Sequence, residues 1–210
     1  MYRLISATPS PYARKVRITL AEKGLPFELQ TEVPWDSSTR TPQYNPLEKL
    51  PVLILPDGSS VYESSYILEW LEIRHPAPPM FPADPDALLL AKKYDVLCNG
   101  ICDAIVLSFF ESRREGGGSV EWMDRQRRKI EGGTRELARL LGDRPWAVGE
   151  GFGLGDIALG TAVAYLSVRY PQLDWKALYP NLAAHSARLE QRASFRDSVP
   201  VPQMIRDKVV

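Results

Sequence analysis

The chain carries little from which redox or metal chemistry is built: among 210 residues there are two cysteines and two histidines. Cys98 and Cys102 stand four apart in an apolar segment, so on a helix they share a face. The spacing is CxxxC, not the CxxC of a dithiol redox site, and no second pair completes a zinc site. Both read as buried thiols, packing like small hydrophobes. His75 lies between Arg74 and Pro76, where a helix must stop, and His185 is far along the chain. A multi-His metal site cannot be assembled from them, and a Ser-His-Asp triad has no spacing to support it. No metal is expected. An excess of one charge is lacking as well: 26 Lys and Arg balance 26 Asp and Glu. That excludes a general binder of nucleic acid or acidic membrane. No apolar run reaches the roughly 18 residues of a membrane span. The opening MYRLISATPSPYARKVR lacks the basic-then-apolar pattern of a signal peptide. A soluble cytoplasmic protein is the expectation.

What is present is ordinary for a globular protein, with 44% hydrophobic and 25% charged residues. The length suffices for one large domain or two small ones. The first part alternates short strands and helices. Tyr2 to Ser6 is a β-type run. Ser10-Pro11 opens a helix that Gly24 can end, with Ala13, Val16 and Leu20 on one face. Phe27 and Leu29 alternate with polar neighbours, as in a second strand. After a polar, proline-bearing stretch, Val52 to Leu55 and Val61-Tyr62 flank the turn Pro56-Asp57-Gly58 as a hairpin. A helix from Glu63 or Ser64 carries Ile67, Leu68 and Leu71 and halts at Pro76. This order predicts an α/β domain with a mixed sheet.

Pro76, Pro78, Pro79, Pro82 and Pro85 then fall within ten residues, which no helix or central strand accepts. Beyond them the period is helical. The segments are Ala87 to Ser112, Val120 to Leu141, Asp156 to Arg169 and Asn181 to Gln191. Gly132-Gly133 should bend or weaken the second. The third is apolar almost all round and should be the buried central helix.

Four local signals remain. Ser10-Pro11-Tyr12 puts a hydroxyl at the mouth of the first helix. Asn45-Pro46-Leu47-Glu48-Lys49-Leu50-Pro51-Val52-Leu53 sets a proline directly before an apolar strand. Tyr62-Glu63-Ser64-Ser65 places an acid and hydroxyls at a helix start. Gly153-Leu154-Gly155-Asp156 opens the buried helix. Singly, each has a plain structural explanation: Ser before Pro is a good N-cap whatever the function, and Glu-Ser-Ser is an ordinary helix start.

Their order along the chain resembles the cytosolic glutathione S-transferase superfamily, particularly small bacterial members with a Ser-Pro-(Phe/Tyr) motif. The resemblance covers the whole chain. It implies a thioredoxin-like domain with a mixed four-stranded sheet over residues 1–76, a proline-rich linker over 77–85 and an all-helical domain over 86–210. It further implies a homodimer with the active site in the interdomain cleft. Carried over residue by residue, Pro51 is the fold's cis-proline. Leu50 offers its backbone to the cysteinyl part of glutathione, as an added strand does. Ser64 binds the γ-glutamyl carboxylate at a helix N-terminus, Glu63 pairs with the γ-glutamyl ammonium, and Lys49 contacts the glycyl end. Ser10 is the catalytic residue, with Ser6 and Thr8 as nearby hydroxyls able to share its role. Tyr12, Tyr94, Asn99 and Asp103 are candidates for the second-substrate pocket, or else for hydrogen bonds between domains or across a dimer.

The implied activity is attack of activated glutathione, the co-substrate, on a hydrophobic electrophile, with peroxide reduction as a side activity and detoxification as the role. A non-catalytic scaffold of the same fold, serving stress-related protein contacts, is the alternative. Two departures stand out. Ser rather than Cys at position 10 disfavours thiol-transferase chemistry. Gly153 stands where the superfamily has Ser or Thr, so some stability should be lost at the start of the buried helix.

Overall fold

The computed structural model describes residues 1–209. The chain divides into two compact units, Met1–Met80 with Arg192–Lys208, and Phe81–Gln191.

In the first unit the expected mixed four-stranded sheet forms from β1 (Tyr2–Ser6), β2 (Phe27–Thr31), β3 (Val52–Ile54) and β4 (Ser60–Tyr62), in the order β2-β1-β3-β4. β1 and β2 are parallel, and the other two pairings are antiparallel. Helix α1 (Pro11–Glu22) supplies the crossover between the parallel pair. It opens on the Ser10 side chain, which accepts the Ala13 N–H. It closes on Gly24, at φ +64°, the left-handed conformation that glycine accepts at a helix end. α2 (Ser64–Arg74) follows β4 directly. Leu4, Ile5, Val16, Leu20, Leu53, Ile67, Leu68 and Leu71 are buried among these elements, which is where the apolar periodicity put them.

The proline-rich stretch after α2 is tied down rather than slack. The buried Lys23 ammonium donates to the carbonyls of His75 (2.7 Å) and Pro78 (2.9 Å) and pairs with Glu72 at 2.7 Å. Glu72 in turn accepts the Met80 N–H at 3.1 Å. The first unit accordingly extends to Met80.

The second unit is helical: α3 (Pro85–Glu111), α4 (Val120–Leu141), α5 (Leu154–Arg169), α6 (Trp175–Leu178) and α7 (Pro180–Leu189). Helix α4 runs unbroken through Gly132-Gly133, where a bend or weakening was expected. A Cβ on Gly133 would stand 2.6 Å from Ile101 Cγ1, so this glycine lets α4 approach α3 closely. Gly153 gives α5 no side-chain cap, and of the expected pair Asp156 alone remains. Asp156 Oδ2 accepts the Gly153 N–H (3.0 Å), and Oδ1 accepts the Ala147 N–H (2.8 Å) with His185 Nε2 3.0 Å away. The carboxylate therefore ties the start of α5 to the loop before it and lies beside His185 of α7.

From the sequence the helical domain is expected over residues 86–210. By their contacts Arg192–Lys208 instead belong with the first unit. There the short α8 (Ala193–Arg196) docks on α1. Glu22 holds Arg192 through two bonds (2.8 and 2.6 Å) and accepts the Ser194 hydroxyl, while Arg14 donates to the Phe195 carbonyl at 3.1 Å.

Candidate functional site

Register brings the three N-terminal signals together. Ile5 of β1 faces Val52 of β3, and Val52 faces Tyr62 of β4. The end of β1, the start of β3 and the end of β4 therefore lie at one end of the sheet. Ser10 follows the first, Leu50-Pro51 precedes the second, and Glu63-Ser64 follows the third. Ala7, Leu50 and Val52 share one apolar cluster with Ile5 and Ile54, and Tyr44 and Tyr62 pack against it.

Ser10 is half-buried at the N-cap of α1, and its Oγ accepts the Ala13 N–H at 3.2 Å. That bond uses a lone pair and leaves the hydroxyl proton to donate. The neighbouring hydroxyls are committed elsewhere. Thr8 Oγ1 donates to the Val201 carbonyl at 2.9 Å, and the buried Ser6 donates to Ala7 at 3.3 Å. The positive end of a twelve-residue helix reinforces an anion at Ser10.

The Leu50–Pro51 peptide is cis, as is Ala77–Pro78. Ladder pairing of β3 begins only at Val52, so Leu50 stands just outside it, 9% exposed. Asn45 braces this approach, donating to the Lys49 carbonyl (2.8 Å) and accepting the Leu47 N–H (2.9 Å). The Lys49 side chain is exposed.

Glu63 adopts φ +73°, a conformation rare for a residue with a Cβ and costly enough to mark functional positions. It is also the true N-cap of α2. Its carboxylate accepts the N–H groups of Ser65 (3.1 Å) and Tyr66 (3.2 Å), and Ser64 Oγ donates to it at 3.3 Å. Ser64 itself is 1% exposed. The acid and the hydroxyl thus form one linked group at the helix mouth.

The candidates for the second pocket differ in exposure. Tyr12 is half-buried on α1. On α3, Asp103 is exposed, and Asn99 donates to Asp95 at 3.3 Å. Tyr94 departs from the expectation. It is fully enclosed, with Arg144 donating to its hydroxyl at 3.3 Å, and burial pushes its pKa up to about 12. A side chain with no open surface lines no pocket. Among the described residues no group of three or more His, Cys, Asp or Glu could hold a metal, and no helix is long and apolar enough to cross a membrane.

Sequence reasoning missed a strap from the C-terminal segment across this same end of the sheet. The Val201 N–H donates to the Thr8 carbonyl at 3.3 Å. Gln203 donates to the Glu32 carbonyl at 3.1 Å, and the Arg206 N–H donates to Asp36 at 2.9 Å. Ser37 N–H donates to Asp207 in return. Val199-Pro200-Val201-Pro202 has neither helical nor strand periodicity, so no pattern announced it.

Residues 9–74 match the family model of the glutathione S-transferase N-terminal domain, and residues 120–188 that of the C-terminal domain. The uncharacterised GST-like protein YibF of Escherichia coli K12 is 34% identical over 199 residues, 94% of this chain and 98% of its own. The chain belongs to the glutathione S-transferase family. Solved members are closely superimposable. A glutathione S-transferase of Methylobacterium radiotolerans, in complex with glutathione sulfonate, is 70% identical with a TM-score of 0.98, covering 100% of this chain and 99% of its own. One from Methylobacillus flagellatus, with glutathione bound, is 42% identical with a TM-score of 0.91, covering 96% and 100%. Within the family's N-terminal domain match fall Ser10, Lys49, Leu50, Pro51, Glu63 and Ser64.

Proposed function

We propose that this family member binds reduced glutathione at the sheet end just described and activates its thiol through Ser10. The observation that carries the reading is the convergence of Ser10, Leu50-Pro51 and Glu63-Ser64 from three separate strand ends. Bound ligands in the relatives from Methylobacterium radiotolerans and Methylobacillus flagellatus support it.

In this reading Leu50 receives the tripeptide's backbone as an added strand. The Glu63–Ser64 pair takes the γ-glutamyl head, Glu63 accepting the ammonium while the Ser64 N–H, joined by its hydroxyl once turned from Glu63, holds the carboxylate. Lys49 reaches the glycyl carboxylate. A free thiol of pKa ~8.5 is only a few per cent ionised at neutral pH. Lowering that by about two units takes roughly 2.7 kcal/mol of preference for the anion. A charge-assisted bond from the Ser10 hydroxyl supplies about 1.5–3 kcal/mol, and the α1 dipole roughly 0.3–1 more. The thiol proton passes to solvent. The sulfur pair then forms a bond to an electrophilic carbon, and the leaving group departs with the electrons of the bond that breaks. An organic peroxide is a second acceptor of the same thiolate. Tyr12 on the Ser10 helix, with Asn99 and Asp103, remain the candidates for the second substrate.

The protein acts in the cytoplasm as a homodimer. Exposed apolar residues seven apart on single helices, Tyr66 with Ile73 on α2 and Leu89 with Val96 on α3, support the dimer. The test of the mechanism is Ser10→Ala. Conjugation of glutathione to 1-chloro-2,4-dinitrobenzene should fall about ten- to hundred-fold in kcat, with the KM for glutathione little changed. Unaltered conjugation would assign thiol activation to another group.

A further inference from the structure

The opposite end of the first unit carries a pocket that the thiol chemistry does not use. Its volume is about 500 Å³, within the range of small-molecule sites. Arg17, Ala21 and Glu22 of α1, Phe27 of β2, and Arg192, Ser194 and Asp197 around α8 line it. Phe27 pairs with Tyr2 at the start of β1, whereas Ser10 follows the end of that strand. Phe27 therefore lies at the opposite end of the sheet from Ser10, and Arg17 follows Ser10 by seven residues along α1.

The charges around this pocket are unequally matched. Glu22 is satisfied internally. Burial raises its pKa, but the bonds from Arg192 and Ser194 outweigh that and hold it below the usual carboxylate range. The Arg17 guanidinium meets a carbonyl instead of a carboxylate, donating to Asp197 O at 2.7 Å. Burial and the neighbouring positive charge of Arg14 both weaken its hold on its proton, against a smaller opposing pull from Asp197. Arg14 is 2% exposed and lies over the Phe195 ring, donating to Ser198 Oγ at 3.3 Å. The Arg17 guanidinium thus presents a cation at one wall, where an anion offsets its charge. Ala21 and Phe27 supply an apolar surface beside it.

We propose that this pocket binds a small organic monoanion: one carboxylate on the Arg17 guanidinium, and an apolar body of one or two rings against Phe27 and Ala21. A planar fork suits a carboxylate better than a point cation does. Asp197 and Glu22 at the same wall disfavour a second negative charge.

The experiment is calorimetric titration of the full chain with 2-naphthoate at saturating glutathione, with naphthalene-2,6-dicarboxylate as the doubly charged comparison. One-to-one binding of the monoanion, weaker binding of the dianion, and about ten-fold or greater loss of affinity in Arg17→Met support the site. Ala21→Trp fills the pocket without touching a charge and should abolish binding, leaving conjugation kinetics unchanged. It keeps the test sharp should Arg17→Met fail to fold. No wild-type binding up to about 1 mM, or wild-type affinity in Ala21→Trp, overturns the proposal.

Discussion

Thr8 and Val201 are joined twice across 193 residues: the Thr8 hydroxyl donates to the Val201 carbonyl at 2.9 Å, and the Val201 N–H donates to the Thr8 carbonyl at 3.3 Å. Through this pair the C-terminal strap is fastened to the loop that carries Ser10. The pair commits the Thr8 hydroxyl to the strap.

Loosening that fastening should be visible locally. Thr8→Val deletes one net hydrogen bond of about 1 kcal/mol, so the Val201 amide should exchange with solvent roughly five-fold faster. Amides of α5 should be unaffected. Unchanged exchange at Val201 would show that the strap is held by its other bonds alone.

Glu63 combines two roles that substitution separates. Glu63→Gln keeps an acceptor for the Ser65 and Tyr66 amides but removes the negative charge, so stability should change little. The KM for glutathione should rise about ten-fold or more, from the lost charge-assisted bond to the ammonium. Glu63→Ala loses the cap too and should cost about 1 kcal/mol in thermal unfolding. Equal KM values in wild type and Glu63→Gln would remove Glu63 from the binding site.

The adjacent glycines of α4 should respond in opposite directions to the same change. At Gly132 a Cβ meets nothing nearer than the Arg135 side chain at 3.9 Å. Gly132→Ala should therefore stabilise by about 0.5–1 kcal/mol through helix propensity. Gly133→Ala drives a methyl into the buried Ile101, and overpacking of about 1–3 kcal/mol outweighs that gain. Melting temperatures of the two variants, one above and one below wild type, are the readout.

That glycine pair shows where legibility ended. Two glycines in a charged helix announce a weak spot, but only the packing of Ile101 against α4 says that one of them is a close approach. The strands and long helices were readable because their periodicity is long enough to count. α6 and α8, four residues each, were not. Ser10 and Glu63 stood out because cap chemistry restricts residue type at helix starts, and both do cap α1 and α2; the roles beyond capping came from the order of the motifs along the chain. Tyr94 was not readable, since an aromatic with a polar tip looks the same whether it faces a pocket or is enclosed with Arg144. Nor did Glu63's caps follow from spacing: an acid before Ser-Ser does not reveal that its backbone is left-handed and its carboxylate folded back on α2.

The most direct test of the central claim is the melting temperature with and without millimolar reduced glutathione. A ligand at a hundred times its dissociation constant adds about 2.7 kcal/mol, and a chain of this size gains roughly 2–4 °C per kcal/mol. The account predicts a rise of several degrees in wild type. No shift at saturating glutathione would contradict it, leaving a family member that keeps the fold as a scaffold for protein contacts.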